Sequence, residues 1–302
     1  MMIIGEGGRA VADQRFADLG LTLSFGDHVN ECDEFMSSSI ESRVADLHAA
    51  FADPSVDGIL TVIGGYSSND LLPHLDWDLI AANPKVLCGY SDITVLACAI
   101  HARTGLVTFV GPHYSTFGME QYFDDVLQWF TSAVMSDEPF VVQPASVWTD
   151  DEWFLDQNAR TVADNDGYWV MREGHAQGRL VGGNLCAINS LTGTDHMPDL
   201  DGTVLFVEDD IESMPYMFKR DLTMLSQQPG FGGVRGLLIG RFQRDCEMSR
   251  DMLQSIIDSN VLLDGLPILA NVDFGHTNPL LTMPVGLPGS FDTSAGTIHI
   301  GN

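Results

Sequence analysis

Lysine is almost missing from this chain. Lys85 and Lys219 are the two present in 302 residues, and all basic residues number 14 against 42 acidic ones. The net charge of −28 repels phosphate backbones and anionic lipid, so it argues against nucleic-acid and membrane partners. The same acidic excess suits either a high-salt host or an acidic mesophilic protein. No apolar run reaches the length needed to cross a bilayer. The opening MMIIGEGGRA has neither the basic start nor the long apolar stretch of a signal peptide, which makes the cytoplasm the expected location. The five cysteines (Cys32, Cys88, Cys98, Cys186, Cys246) are scattered and form no C-x-x-C pair. That argues against a disulfide framework or a cysteine zinc site and leaves reduced, buried thiols as the expectation. The phosphate-binding patterns G-x-G-x-x-G and G-x-x-x-x-G-K-[ST] are absent, as is H-E-x-x-H, so nucleotide hydrolysis and metal catalysis have no support.

What remains is ordinary globular composition, with 45% apolar and 19% charged residues over a length that favours two lobes. The first 142 residues alternate strand and helix. Ser38 to Glu41 has capping-box spacing, and Ile40, Val44, Leu47 and Phe51 share one helical face. Ile59–Ile63 reads as a buried strand ending at Gly64-Gly65, with a helix from Asn69 to about Leu75. Val86–Cys88 is a second strand, followed by Gly89-Tyr90-Ser91-Asp92 and a helix from Ile93 to Arg103. Leu106–Val110 reads as a third strand and Glu120–Met135 as a long amphipathic helix. This rhythm predicts an α/β fold with a doubly wound parallel sheet. Residues 143–178, polar and bearing Trp148, Trp153 and Trp169, read as a connector with a functional loop. Residues 179–302 then form a C-terminal lobe with strands at Val204–Val207, Gly236–Arg241 and Pro267–Val272, helices near Tyr216–Gln227 and Arg250–Asn260, and a terminal hairpin.

Ser91 sits at a tight strand-to-helix turn, which lifts it above the sheet edge where ligands bind in open α/β folds. The backbone N–H of Asp92 there suits a developing oxyanion. The turn resembles a nucleophile elbow, although Ile93 stands where the final glycine of G-x-S-x-G would be. Among nine histidines the best base is His276, in a glycine- and asparagine-bearing loop after a strand. His113 follows a strand on the same predicted edge and is a candidate site-lining residue. Glu208, first of three acids ending the Val204–Val207 strand, is the preferred partner for His276. Asp209 and Asp210 read as an acidic lead-in to the next helix. Gly65, in a diglycine turn, is a candidate second oxyanion donor.

The blocks TVIGGYSSNDLLPHLD, NPKVLCGYSDITVL, GLVTFVGPHYSTFGM, GRLVGGNLCAINSLTGT, LFVEDD and FGHTNP together resemble the LD-carboxypeptidase family of serine peptidases. The fit is best to the branch holding microcin C self-immunity peptidases. The resemblance implies a Ser91–His276–Glu208 triad, oxyanion donors at Gly65 and Asp92, and no cofactor. It implies a flavodoxin-like N-terminal lobe, a β-rich C-terminal lobe and a homodimer. Its substrates are either aminoacyl- or peptidyl-nucleotide amides or murein tetrapeptides; a non-catalytic binder of peptides or nucleotides is the reading from another class. In the microcin branch an aromatic loop stacks on the base. Here that loop matches residues 148–155, with Trp153 and Trp148 as the candidates for stacking or, alternatively, for pinning the lobe interface. Family members usually begin with a further strand, which the opening MMIIGEGG leaves missing or shortened.

Overall fold

The computed structural model describes residues 4–301. Short apolar runs with glycine at their ends build a first sheet. Gly58–Leu60, Val86–Gly89 and Thr108–Val110 lie side by side in parallel, and Met283–Val285 from far along the chain adds an antiparallel fourth strand. The second sheet has eight strands, with a parallel centre of His175–Asn184, Thr203–Glu208, Gly236–Gly240 and Ile268–Val272. The expected terminal hairpin, Pro288–Asp292 with Thr297–Ile300, extends one side of it, and Phe140–Val142 closes that edge. Trp169–Arg172 forms the other edge. Each sheet therefore takes a strand from the other half of the chain, which stitches the two lobes together.

The helix Thr94–Thr104 runs between the lobes. Thr94 through Ile100 are all buried, because the helix packs on the first sheet, on the strand His175–Asn184 and on the short helix Leu185–Asn189. A helix apolar all round belongs in such a position. Gly105, in the left-handed conformation at φ 75°, ends it. The helix Ile40–Ala52 forms as its apolar spacing predicts, but Ser39 is the cap in place of Ser38, its hydroxyl accepting from Ser42 N–H at 3.0 Å.

Other departures have local causes. The strand expected over Ile59–Ile63 stops at Leu60, because the Thr61 and Val62 carbonyls turn to bond Tyr114 and Ser115 instead. The helix expected from Glu120 begins at Asp124, since Tyr122 at φ 59° cannot belong to a right-handed helix. His175–Asn184 escapes the strand pattern because it carries three glycines; a Cβ at Gly182 would lie 1.7 Å from the Phe206 carbonyl oxygen of the neighbouring strand. All five cysteines are free, but Cys32 and Cys186 are exposed, so burial holds only for Cys88, Cys98 and Cys246. Among the described residues no helix is long and apolar enough to cross a membrane. The missing or shortened first strand falls partly on Met1–Ile3, outside the described residues; from Gly5 the chain passes straight into the helix Glu6–Asp18.

Candidate active site

The strand Val86–Gly89 delivers Tyr90 in extended backbone and then Ser91 at φ 63°, followed by a helical turn into Thr94–Thr104. A serine in the left-handed region is strained, and such strain persists only where its surroundings hold it. Gly64 approaches so closely that a Cβ there would lie 2.9 Å from Ser91 Cβ. The Asp92 carboxylate, through Oδ2, accepts from Ser68 N–H at 2.8 Å and from its hydroxyl at 2.7 Å, tying the Gly64–Ser68 loop to the serine turn. The two residues expected to supply oxyanion donors, Gly65 and Asp92, thus lie on loops fastened to each other.

His276 comes from the loop after Ile268–Val272 and Glu208 from the end of Thr203–Glu208. Residues 68 positions apart meet here: His276 Nδ1 donates to Glu208 Oε2 at 2.7 Å. Glu208 is fully buried, and among the described residues its Oε1 has no hydrogen-bond partner. Gly275, at φ 107°, lets the loop pass over the carboxylate; a Cβ there would sit 2.6 Å from Oε2. Burial by itself would lower the His276 pKa, but the charge and hydrogen bond of Glu208, backed by Asp210 and Asp209, outweigh it and hold the imidazole above its usual value. Tyr90 links the two halves of the site. Its ring meets His276 edge-on at 5.1 Å and stacks on His113 at 4.1 Å.

Asp209 does not serve the next helix, which starts at Pro215 with no acid in its first turn. It is buried beside Glu208, its Oδ1 accepting from Asp210 N–H at 3.2 Å, and burial pushes its pKa up to about 7. His113 is also buried, its Nε2–H donating to the Tyr90 carbonyl at 3.1 Å, so its ring offers a substrate little surface.

The tryptophan segment forms a small hairpin, Val147–Trp148 with Ala163–Asp164, and the loop between carries Trp153, half-buried and edge-on to Phe154. Thr149 and Asn278 exchange backbone hydrogen bonds of 2.8 Å in both directions, which fastens this hairpin to the His276 loop. Trp148 is placed differently from Trp153. Its ring lies 4.3 Å from the Arg244 guanidinium and 5.2 Å from that of Arg241, beside a cavity of about 320 Å³ shared with Trp169.

Sequence reasoning missed what anchors the His276 loop. Arg241 and Asp273 form a buried ion pair at 2.6 Å; Asn271 Oδ1 and carbonyl also accept from Arg241, and Asp273 accepts from Ala145 N–H at 3.0 Å. An arginine one residue past a strand, opposite an acid one residue past its neighbour, is a signal visible only once the strands are paired. Asp273→Ala, which leaves the Arg241 charge buried and unpaired, should cost about 3–5 kcal/mol in urea unfolding. The double change Arg241→Met with Asp273→Ala should recover part of that loss; equal stability of wild type and Asp273→Ala would show that the pair anchors nothing.

The sequence matches the family model described as the LD-carboxypeptidase N-terminal domain over residues 8–111 and that of the C-terminal domain over residues 177–290. It is 47% identical over 300 residues to YocD of Bacillus subtilis, provisionally named a carboxypeptidase, covering 99% of this chain and 92% of that one. The fold matches the crystal structure of an MccF-like protein from Bacillus anthracis with TM-score 0.96 and 44% identity, over 99% of this chain and 92% of the other. It also matches MccF in complex with glutamyl sulfamoyl guanosine, with TM-score 0.88 and 28% identity, over 98% and 91% of the two chains.

Proposed function

The chain belongs to the LD-carboxypeptidase family of serine peptidases, and on that premise we propose that it hydrolyses the amide bond joining an aminoacyl or peptidyl group to a nucleotide-like sulfamoyl or phosphoramidate partner. The observation that carries the chemistry is the half-buried His276 held 2.7 Å from buried Glu208, meeting the strained Ser91 turn through Tyr90. In this reading His276 takes the Ser91 proton as the hydroxyl attacks the acyl carbonyl, and Glu208 orients the ring and stabilises its cation. The amides of Gly65 and Asp92 receive the developing oxyanion. His276 then protonates the departing nitrogen, leaving an ester on Ser91. Water, deprotonated by the same imidazole, cleaves that ester and restores the hydroxyl.

The substrate class is supported by the hairpin tied to the His276 loop through Thr149 and Asn278, and by the related fold bound to an aminoacyl sulfamoyl nucleoside. Trp153 is the proposed stacking residue. Base–aromatic stacking contributes about 1–3 kcal/mol, so Trp153→Ala should raise KM for aspartyl sulfamoyl adenosine by about tenfold or more and leave kcat nearly unchanged. The same substitution should not alter KM for a peptide lacking a base. To test the substrate class, the protein is incubated with aspartyl sulfamoyl adenosine and, separately, with a murein tetrapeptide, and products are followed by mass spectrometry. Release of free aspartate from the first alone supports the proposal. Release of the terminal residue of the tetrapeptide alone would replace it with a cell-wall peptide activity.

A further inference from the structure

The turn Tyr114–Gly118 takes no part in the steps above, yet it and His113 before it touch both loops that those steps use. After Leu60 leaves the sheet, the Thr61 carbonyl accepts from Tyr114 N–H at 2.8 Å and the Val62 carbonyl from Ser115 N–H at 3.3 Å. Ser115 Oγ adds a further bond to the Val62 carbonyl at 2.5 Å. Ile63 and then the Gly64-Gly65 turn follow directly. On the other side His113 Nε2–H reaches the Tyr90 carbonyl at 3.1 Å while its ring stacks on the Tyr90 ring. Thr116 Oγ1 accepts from His113 N–H at 3.2 Å and fixes where the turn starts.

We infer that His113 is a positioning residue whose Nε2–H clamps the Tyr90 carbonyl, holding Ser91 in its left-handed conformation in register with the Gly64-Gly65 loop. The Tyr90 carbonyl belongs to the peptide plane that joins Tyr90 to Ser91, so fixing its direction restricts φ of Ser91. A carbonyl only accepts, which places the proton on Nε2. Burial keeps the ring neutral, pushing its pKa down to about 3 with the His276 charge adding to the effect and the Tyr90 bond opposing it. The catalytic part of this inference rests on Ser91 being the nucleophile.

Two substitutions separate donor from ring. His113→Phe keeps the stacking surface and removes the donor, whereas His113→Gln carries an amide N–H to about where Nε2 lies. Backbone hydrogen exchange over residues 88–94 and the rate of fluorophosphonate labelling are measured on wild type and both variants. His113→Phe should speed exchange at Ser91 and Asp92 by about tenfold or more and slow labelling and kcat by about 10- to 100-fold, with KM within about twofold. His113→Gln should return both readouts to within about threefold of wild type. Thr116→Val, which removes the hydroxyl that accepts from His113 N–H while leaving the imidazole in place, should fall between them and serves if His113→Phe folds poorly. Unchanged exchange and kcat in His113→Phe, or a glutamine variant no better than phenylalanine, would overturn the clamp. Should fluorophosphonate fail to label the wild type, the nucleophile assignment falls separately, and the exchange comparison still decides the clamp.

Discussion

Replacing Ser91 with alanine should lower kcat/KM by about 10⁴- to 10⁶-fold while leaving the fold intact. Removing the nucleophile of a serine triad costs about that much, the remainder coming from the oxyanion donors and binding. Alanine at φ 63° carries strain comparable to that of serine, so thermal unfolding should move little. Ser91→Gly makes a useful contrast. Glycine relieves the strain, so that variant should be about 1 kcal/mol more stable than wild type while equally inactive. A stabilised, inactive glycine variant would tie the backbone strain to the function. Retained activity in either variant would remove Ser91 from the mechanism.

The second large effect concerns Glu208. Glu208→Gln keeps the shape beneath Gly275 but removes the charge facing His276 Nδ1, and kcat near neutral pH should fall by about 10³- to 10⁴-fold. The pH profile should change with it. A base must be neutral, so activity rises with pH through the His276 pKa, and in the wild type that limb lies above 6.5 because Glu208, Asp210 and Asp209 together outweigh burial. Without the Glu208 charge burial dominates, and the limb should move to lower pH. Asp209, which burial pushes up to a pKa of about 7, adds to the pull on His276 once it ionises. Asp209→Asn should therefore move the limb to lower pH, in the same direction as Glu208→Gln but less far. A limb that stays in place in Glu208→Gln would show that some other group sets it.

The parts of the fold and site legible in the sequence share a local signature. Val86–Gly89 and the helix after it, Thr203–Glu208, and the terminal hairpin all announce themselves by apolar runs and punctuating glycines. Glu208 and His276 could be proposed because each follows a strand end, where parallel sheets place their chemistry. What stayed hidden depends on partners distant in sequence. His175–Asn184 straddles the boundary read at 178/179 and carries no predicted strand, because its glycines make sense only beside the Phe206 backbone that excludes side chains. Met283–Val285 and Phe140–Val142 acquire meaning only from the sheets they join. His113 looked like a site-lining residue because its position after a strand was visible, whereas its bond to the Tyr90 carbonyl was not. Asp209 reads as a helix lead-in, since its burial leaves no trace in a run of three acids.

The central claim is that Ser91 is the attacking group, and covalent capture tests it most directly. The protein is treated with a fluorophosphonate, digested, and mapped by mass spectrometry beside Ser91→Ala and His276→Ala. A single adduct on the peptide containing Ser91, absent in Ser91→Ala and formed at least about 10³-fold more slowly in His276→Ala, is the predicted result. No adduct, or an adduct on another serine that persists in Ser91→Ala, would contradict the account.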